Sequence, residues 1–330
     1  MNPISRRLLL AATTALAACT TEVTERGPSI MPPAVQGEAF QMRDGAALPY
    51  RAWLPETPGT AIVLALHGFN DSRDAWELPA PAFAAAGIAV YAPDQRGFGA
   101  APGRGFWPGT DTLADDTADM VTALRARHPG KRLFLMGESM GGAVLMRLAT
   151  RPLAPDVDGY ILLAPAVWGR AKMNPLMQAS LWVACTLIPG MEVANRPPPG
   201  VRIIPTDNIE ALRRLSANPL TIKTTRFDTL RGLVDLMDTA LAAAPDFRAP
   251  AIFLYGARDD LVPAPATRTI WQSMPPGPRR VLYPEGYHMV MRDHARAAPI
   301  GDAISWITNP AAPLPSGGEA RAMAWLAQGG

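Results

Sequence analysis

One stretch constrains this chain more than any other: Leu133-Phe134-Leu135-Met136-Gly137-Glu138-Ser139-Met140-Gly141-Gly142. Four apolar residues read as a buried strand. Gly-x-Ser-x-Gly follows, and Ala143-Val144-Leu145-Met146-Arg147-Leu148-Ala149 reads as a helix. A strand that runs straight into a helix must turn sharply. Side chains at 137 and 141 would collide with the backbone folding back there, so both positions are glycine. Ser139 then sits at a strained tip with its hydroxyl projecting from the sheet edge, the setting of a nucleophilic serine. The N–H of Met140 opens the helix and points where an oxyanion would develop, with the helix dipole behind it. The motif alone is a weak signal, because glycine-rich strand-to-helix turns also serve structural roles or bind phosphate. Its partners decide the reading.

The 330 residues, 48% of them hydrophobic, make one large domain or two small ones with a sizeable core. The net charge is +2, and Arg6 and Arg7 account for it. No Lys/Arg-rich run stands out elsewhere, which argues against nucleic acid as the main partner. The cysteines are Cys19 and Cys185. A disulfide between them is geometrically open, but Cys185 lies in an apolar segment and reads as a buried free thiol.

Residues 1–18 read as an export signal. Arg6-Arg7 give a positive start, and an apolar stretch too short to span a bilayer follows. Leu16-Ala17-Ala18-Cys19 resembles a bacterial lipoprotein box. That resemblance implies an exported protein held at the cell envelope by an acylated Cys19. The alternative is an ordinary signal peptide cut near Ala18. Ser5-Arg6-Arg7 also resembles part of a twin-arginine signal. Residues 19–36 have no periodicity and read as a tether.

Two short strands near Ala39–Arg43 and Tyr50–Leu54, joined at Asp44-Gly45, are expected to form an antiparallel edge. Ala61-Ile62-Val63-Leu64-Ala65-Leu66 has the unbroken apolar character of a parallel strand covered on both faces. His67-Gly68-Phe69-Asn70 follows it, the place for a second oxyanion donor, which would be the Phe69 N–H. His67 itself is expected to bond nearby loop backbone. A helix at about 74–86, a strand at Ile88–Ala92 and a helix at about 113–128 come next. In the loop after Ile88–Ala92, Asp94 and Arg96 read as bonded within that loop. Asp115, Asp116 and Asp119 read as a solvated, dipole-matched helix start. After the elbow, strands are expected at Tyr160–Ala164, Ala251–Gly256 and Val281–Tyr283, and a last helix at 292–307. The tail from Asn309 reads as frayed, although Met323–Leu326 could dock.

Ser139, Asp259 and His288 fall in that chain order, each just after a strand. The order and placement belong to the α/β-hydrolases. Over about residues 36–308 the chain resembles the monoacylglycerol lipase and lysophospholipase-like serine hydrolases. The matching stretches are His67-Gly68-Phe69, Gly137-Glu138-Ser139-Met140-Gly141-Gly142, Gly256-Ala257-Arg258-Asp259 and Gly286-Tyr287-His288. At Arg96-Gly97-Phe98-Gly99 the chain departs from that group, which often has His in place of Phe98. The resemblance implies a mostly parallel sheet with helices on both faces and an inserted helical cap. The domain would run over 37–308 with the cap at about 168–247, where the group carries its lid, and 309–330 as a tail. It implies Ser139 as nucleophile, His288 as acid–base and Asp259 as the residue that orients His288, chosen over Asp260 by the group's spacing. The amides of Phe69 and Met140 would bind the oxyanion. By elimination among four histidines, His288 is the base and His294, expected within a helix, the distant second. No metal or cofactor is required, and no His/Cys cluster is present to hold one.

The cap carries Trp168, Met173, Leu176, Met177, Leu181 and Trp182 at helical spacing. Trp168, Met173, Met177 and Trp182 are candidate acyl-chain contacts, since such a pocket needs an apolar wall and Met suits variable chains. The substrate expected is a lipid-like ester. A small ester, a thioester or a peptide is the rival within the same chemistry, and an inactive envelope-binding lipoprotein is the rival outside it.

Overall fold

The computed structural model describes residues 23–57, 59–196, 200 and 202–328. The signal reading at 1–18, Cys19 and Pro197-Pro198-Pro199 lie outside the described residues. Among the described residues, nine strands form a central sheet. Its order is β1 (Ala34–Gln36), β2 (Ala39–Gln41), β3 (Ala47–Trp53), β5 (Ile88–Pro93), β4 (Ala61–Leu66), β6 (Arg132–Glu138), β7 (Gly159–Leu163), β10 (Ala251–Gly256) and β11 (Arg279–Tyr283). From β5 to β11 all neighbours are parallel, while β1, β2 and β3 join antiparallel. The fold is the mostly parallel, two-faced sheet of an α/β-hydrolase.

The strand sequences explain why both faces are covered. Every residue of β4 is buried. Ile62, Leu64 and Leu66 enter one core and Ala61, Val63 and Ala65 the other, as a period of two requires. In β6, Leu133 and Leu135 face one core, Phe134 and Met136 the other. The second face is covered by α1 (Ala80–Ala85) and the helix Ala297–Thr308. The first is covered by α2 (Thr110–Arg127), α3 (Met140–Ala149) and the helix Phe227–Ala243.

Several expectations are corrected. The helix expected over 74–86 is broken into a 3-10 turn at Arg73–Trp76 and the short α1, because Pro79 and Pro81 lack the N–H groups a continuous helix needs. Asp116 and Asp119 on α2 are buried rather than solvated. Arg96 clamps Asp116 through Nε at 2.8 Å and Nη2 at 3.0 Å, and Arg26 and Arg43 reach Asp119 at 2.6 and 2.7 Å. Asp94 does not bond Arg96; it accepts from Arg73 and from the Ala100 N–H.

The segment expected as a tether is strapped down over its described part. Thr24 N–H donates to the Trp107 carbonyl, Arg26 pairs with Asp119, Ile30 N–H donates to the Arg43 carbonyl, and Ala34–Gln36 pairs with β2. Nor does the described part of the tail, 309–328, fray. Its helix Gly318–Ala327 lies on β11, Arg279 pairs with Glu319 at 2.5 Å, and the Trp325 ring sits 5.4 Å from Trp271 and 5.8 Å from Tyr255. The Arg268 guanidinium lies 3.9 Å over the Trp325 ring. Small residues hide this amphipathic helix from a hydropathy reading.

The insertion comprises α4 (Pro175–Leu187), β8 (Glu192–Ala194), α5 (Ile209–Ala217), β9 (Thr224–Arg226) and α6 (Phe227–Ala243). The β8–β9 ladder is an addition to the helical cap expected. The remaining helices are α7 (Ala264–Ser273), α8 (Ala297–Thr308) and α9 (Gly318–Ala327). α6 packs against α3 and so belongs to the body.

The docking of α9 is directly testable. Trp325→Ala should lower unfolding free energy by about 2–3 kcal/mol, less than a fully buried Trp because the ring is partly exposed. Chemical denaturation measures it, and an unchanged midpoint would show that α9 contributes nothing to the core.

Candidate active site

β6 delivers Ser139 to the strand–helix turn. Ser139 has φ 53° and ψ −113°, a conformation that L-residues rarely hold. Three backbone bonds hold it: Ser139 N–H to the Leu163 carbonyl at 2.9 Å, and Ala166 and Ala143 N–H to the Ser139 carbonyl at 2.9 and 3.0 Å. The flanking glycines are steric necessities. A Cβ on Gly137 would lie 2.5 Å from the Gly141 carbonyl carbon, and one on Gly141 would lie 2.4 Å from the Leu66 carbonyl oxygen. The turn is thus pressed against the end of β4.

Asp259 and His288 come together. His288 Nδ1 lies 2.8 Å from Asp259 Oδ2, with both side chains almost fully buried. The other carboxylate oxygen, Oδ1, accepts the Leu261 and Val262 N–H groups at 2.8 Å each. Those two bonds fix the carboxylate, and the carboxylate fixes the Nδ1–H tautomer of the imidazole, leaving Nε2 as the free base. Asp260 points away and accepts the Ile204 N–H. Burial alone would lower the His288 pKa, but the charge and hydrogen bond of Asp259 outweigh it, with a further push from Glu138. The net displacement is upward from the usual 6.5. Asp293, whose Oδ2 accepts the Tyr287 N–H next to His288, is pushed up to about 6 by its own burial. His294 lies in the loop before α8, exposed rather than in a helix, and its N–H donates to Asp207. Among the described residues no hydrogen bond joins Ser139 Oγ to His288; such contacts are often long before substrate binds.

The loop after β4 lies against the serine turn, since a Cβ on Gly68 would sit 3.5 Å from Ser139 Cβ. The loop that carries Phe69 therefore runs beside the serine turn. Met140 is the first residue of α3, so helix geometry leaves its N–H without an intrahelical acceptor. His67 is fully buried and both of its nitrogens are engaged. Nδ1 donates to the Gly68 carbonyl at 2.7 Å and Nε2 accepts the Gln95 N–H at 3.1 Å. Burial lowers its pKa, so it is neutral and occupied.

The expected pocket residues separate. Trp168 packs against the core and Met173 is half-buried. Met177 and Trp182 face outward, 42% and 69% exposed. Pro175–Leu187 has no charged residue to hold its apolar side chains on a single inward face, so helical spacing alone does not show that these two face solvent. A cleft of about 560 Å³ opens between α5 and the Arg73–Leu78 segment, bordered by Leu215, Leu220, Asp71 and Arg292. Among the described residues no cluster of His, Cys, Asp and Glu could hold a metal ion.

Sequence reasoning missed a buried ionic cluster behind the serine, made of Asp71, Glu138 and Arg292. One signal was available: Glu138 ends an otherwise apolar buried strand, and a carboxylate there requires a cation partner.

The family described as serine aminopeptidase, S33 matches residues 57–295. The monoacylglycerol lipase of Mycolicibacterium smegmatis is 26% identical over 268 residues, which cover 80% of this chain and 94% of that protein. The human monoglyceride lipase is 29% identical over 126 residues, covering 38% of this chain and 41% of its own length. Among solved structures, a Paleococcus ferrophilus monoacylglycerol lipase superposes with a TM-score of 0.64 at 22% identity, covering 79% of this chain and 98% of its own. A soluble variant of the Saccharomyces cerevisiae monoglyceride lipase gives 0.66 at 18% identity, covering 87% and 97%. With its sheet, its strand–helix serine turn and a match across most of its length, the chain belongs to the serine aminopeptidase S33 family of α/β-hydrolases.

Proposed function

We propose that the protein is a serine hydrolase that cleaves carboxylic esters of monoacylglycerol or lysophospholipid type through an acyl-enzyme at Ser139. The observation that carries this reading is the buried Asp259–His288 pair, whose carboxylate is fixed by two backbone amides at the same sheet edge as the strained serine turn.

The chemistry follows from that arrangement. His288 Nε2 takes the Ser139 Oγ proton as Oγ attacks the ester carbonyl. Asp259 holds Nδ1–H and stabilises the imidazolium formed. The Phe69 and Met140 N–H groups bind the oxyanion of the tetrahedral intermediate. The imidazolium then protonates the departing alcohol as the carbon–oxygen bond breaks, and water, activated by His288, releases the acyl group from Ser139. A lipid substrate is favoured by α4. Its Leu176, Trp182 and Leu187 are 77%, 69% and 62% exposed on a cap helix without a charge, a surface suited to contact with acyl chains. The relatives named as monoacylglycerol lipases favour the same class. Attachment to a membrane through an acylated Cys19 belongs to this proposal. Cys19→Ser should then move the protein out of the membrane fraction, and an unchanged distribution would remove the anchor from the reading.

Ser139→Ala should leave the protein folded and lower hydrolysis of a monoacylglycerol by several orders of magnitude. Fluorophosphonate labelling should vanish with it; labelling that survives in the folded variant would refute the assignment. Asp259→Asn should lose far more activity than Asp260→Asn, because Asp260 bonds the cap backbone instead of His288. If a p-nitroanilide of an amino acid proves the better substrate, the enzyme is a peptidase and the lipid class is wrong.

The pH profile has a definite sign. His288 must be neutral to accept the serine proton, so kcat/KM falls as acid protonates it. Because the His288 pKa is displaced upward, the acid limb should be centred above 6.5. Removing the Asp259 charge should move that limb to lower pH. A parent limb centred well below 6.5 would contradict the pairing.

A further inference from the structure

We propose that Arg292 is a positioning residue that locks the serine turn and the oxyanion loop into one register, resting on the reading of Ser139 as nucleophile. Arg292 Nη2 donates to Glu138 Oε1 at 2.5 Å and to Asp71 Oδ2 at 2.7 Å. Glu138 immediately precedes Ser139 and stands two residues before the Met140 amide. Asp71 stands two residues after the Phe69 amide, and Arg292 itself four residues after His288. One guanidinium nitrogen therefore joins the three loops that carry the serine, the histidine and both oxyanion donors.

The cluster is too costly to be explained by stability. All three side chains are at least nine-tenths buried. A buried guanidinium shared by two carboxylates loses its hydration, and an apolar trio of similar volume often holds a fold as well or better. What an apolar trio lacks is direction. The oxyanion site demands two amides placed to within a fraction of an ångström, and hydrogen bonds of fixed geometry supply such placement.

The same loops are held from the cap side. Asn70, between Phe69 and Asp71, has φ 60°. Its amide donates to Thr225 Oγ1 at 2.7 Å, and its carbonyl accepts the Ile222 N–H at 2.9 Å. Asn208, which caps α5, donates to the Arg292 carbonyl at 2.9 Å, and Met289 N–H donates to the Pro205 carbonyl. The oxyanion loop is thus gripped by β9 on one side and by Arg292 on the other. Asp71 is held in its turn, because its Oδ1 accepts the Ser72 N–H at 2.8 Å.

Removing Arg292 outright would strand two buried carboxylates and unfold the protein, so the test uses milder changes. Asp71→Asn keeps the shape of the side chain and leaves Arg292 paired with Glu138. Arg292→Lys keeps the charge but loses the planar fork that fixes direction. Each variant is compared with the parent by p-nitrophenyl ester kinetics, by endpoint fluorophosphonate titration of competent serines and by thermal melting. Expected is a fall of about tenfold or more in kcat per titrated serine with KM within about threefold, the split produced by a misplaced oxyanion donor. A parent-like kcat per titrated serine in both variants overturns the positioning role even if melting falls, since a structural tie alone would do that. A loss that disappears once unlabelled, unfolded molecules are discounted overturns it as well. Parent protein whose label does not map to Ser139 overturns the nucleophile reading itself, which the variants' kinetics leave distinguishable.

Discussion

Ser139 occupies a backbone conformation, φ 53° and ψ −113°, that costs free energy wherever it occurs, so its surroundings must hold it there. They do so on three sides. The Leu163 carbonyl and the Ala166 amide tie the serine backbone to the end of β7 and the loop beyond it. Gly141 lies so close to the Leu66 carbonyl that no side chain fits between them. Behind the turn, Glu138 is fixed by Arg292. The strained residue is stable because β4, β6 and β7 end at one level, and that level is set by parallel pairing across the whole sheet. A slip of one residue between β4 and β6 would exchange the two cores and put the glycines out of register with Leu66.

Buried charge is the second theme of the molecule. Asp116 with Arg96, Asp119 with Arg26, and Arg292 with Asp71 and Glu138 are largely taken out of water, while Arg43, which also reaches Asp119, stays partly exposed. Each joins segments far apart in the chain, so each converts a desolvation cost into a fixed relation between loops. The first two fasten the N-terminal segment and the loop after β5 onto α2. The third acts at the serine. The same device ties the outside of the domain together and joins the loops around Ser139.

The cap is joined to the body by directional bonds at several points: Asn70 to Thr225, Asn208 to the Arg292 carbonyl, Arg104 to the Pro219, Leu220 and Thr221 carbonyls, Asn218 to Asp74 and the Ile204 N–H to Asp260, while α4 leaves most of its apolar residues in solvent. Those from Asn70 and to Arg292 fall on the two loops that bear Phe69 and His288.

The sequence by itself determined the class of the fold and the serine turn. An unbroken apolar run bounded by turn residues fits a strand covered on both sides, and Gly-x-Ser-x-Gly between a strand and a helix calls for a tight turn, both being consequences of local sterics and period. The chain order of Ser139, Asp259 and His288 was legible for the same reason, since each follows a strand end. Tertiary structure alone decided which charges are paired. Asp119 looked solvated from its helix, and its partners Arg26 and Arg43 lie 93 and 76 residues away. It decided that residues 318–327 dock, because Trp325 meets Trp271 and Tyr255 from distant strands and helices. It also turned Met177 and Trp182 outward, which helical spacing could not foresee. Periodicity reports which residues share a face, and only the packed chain establishes what that face meets.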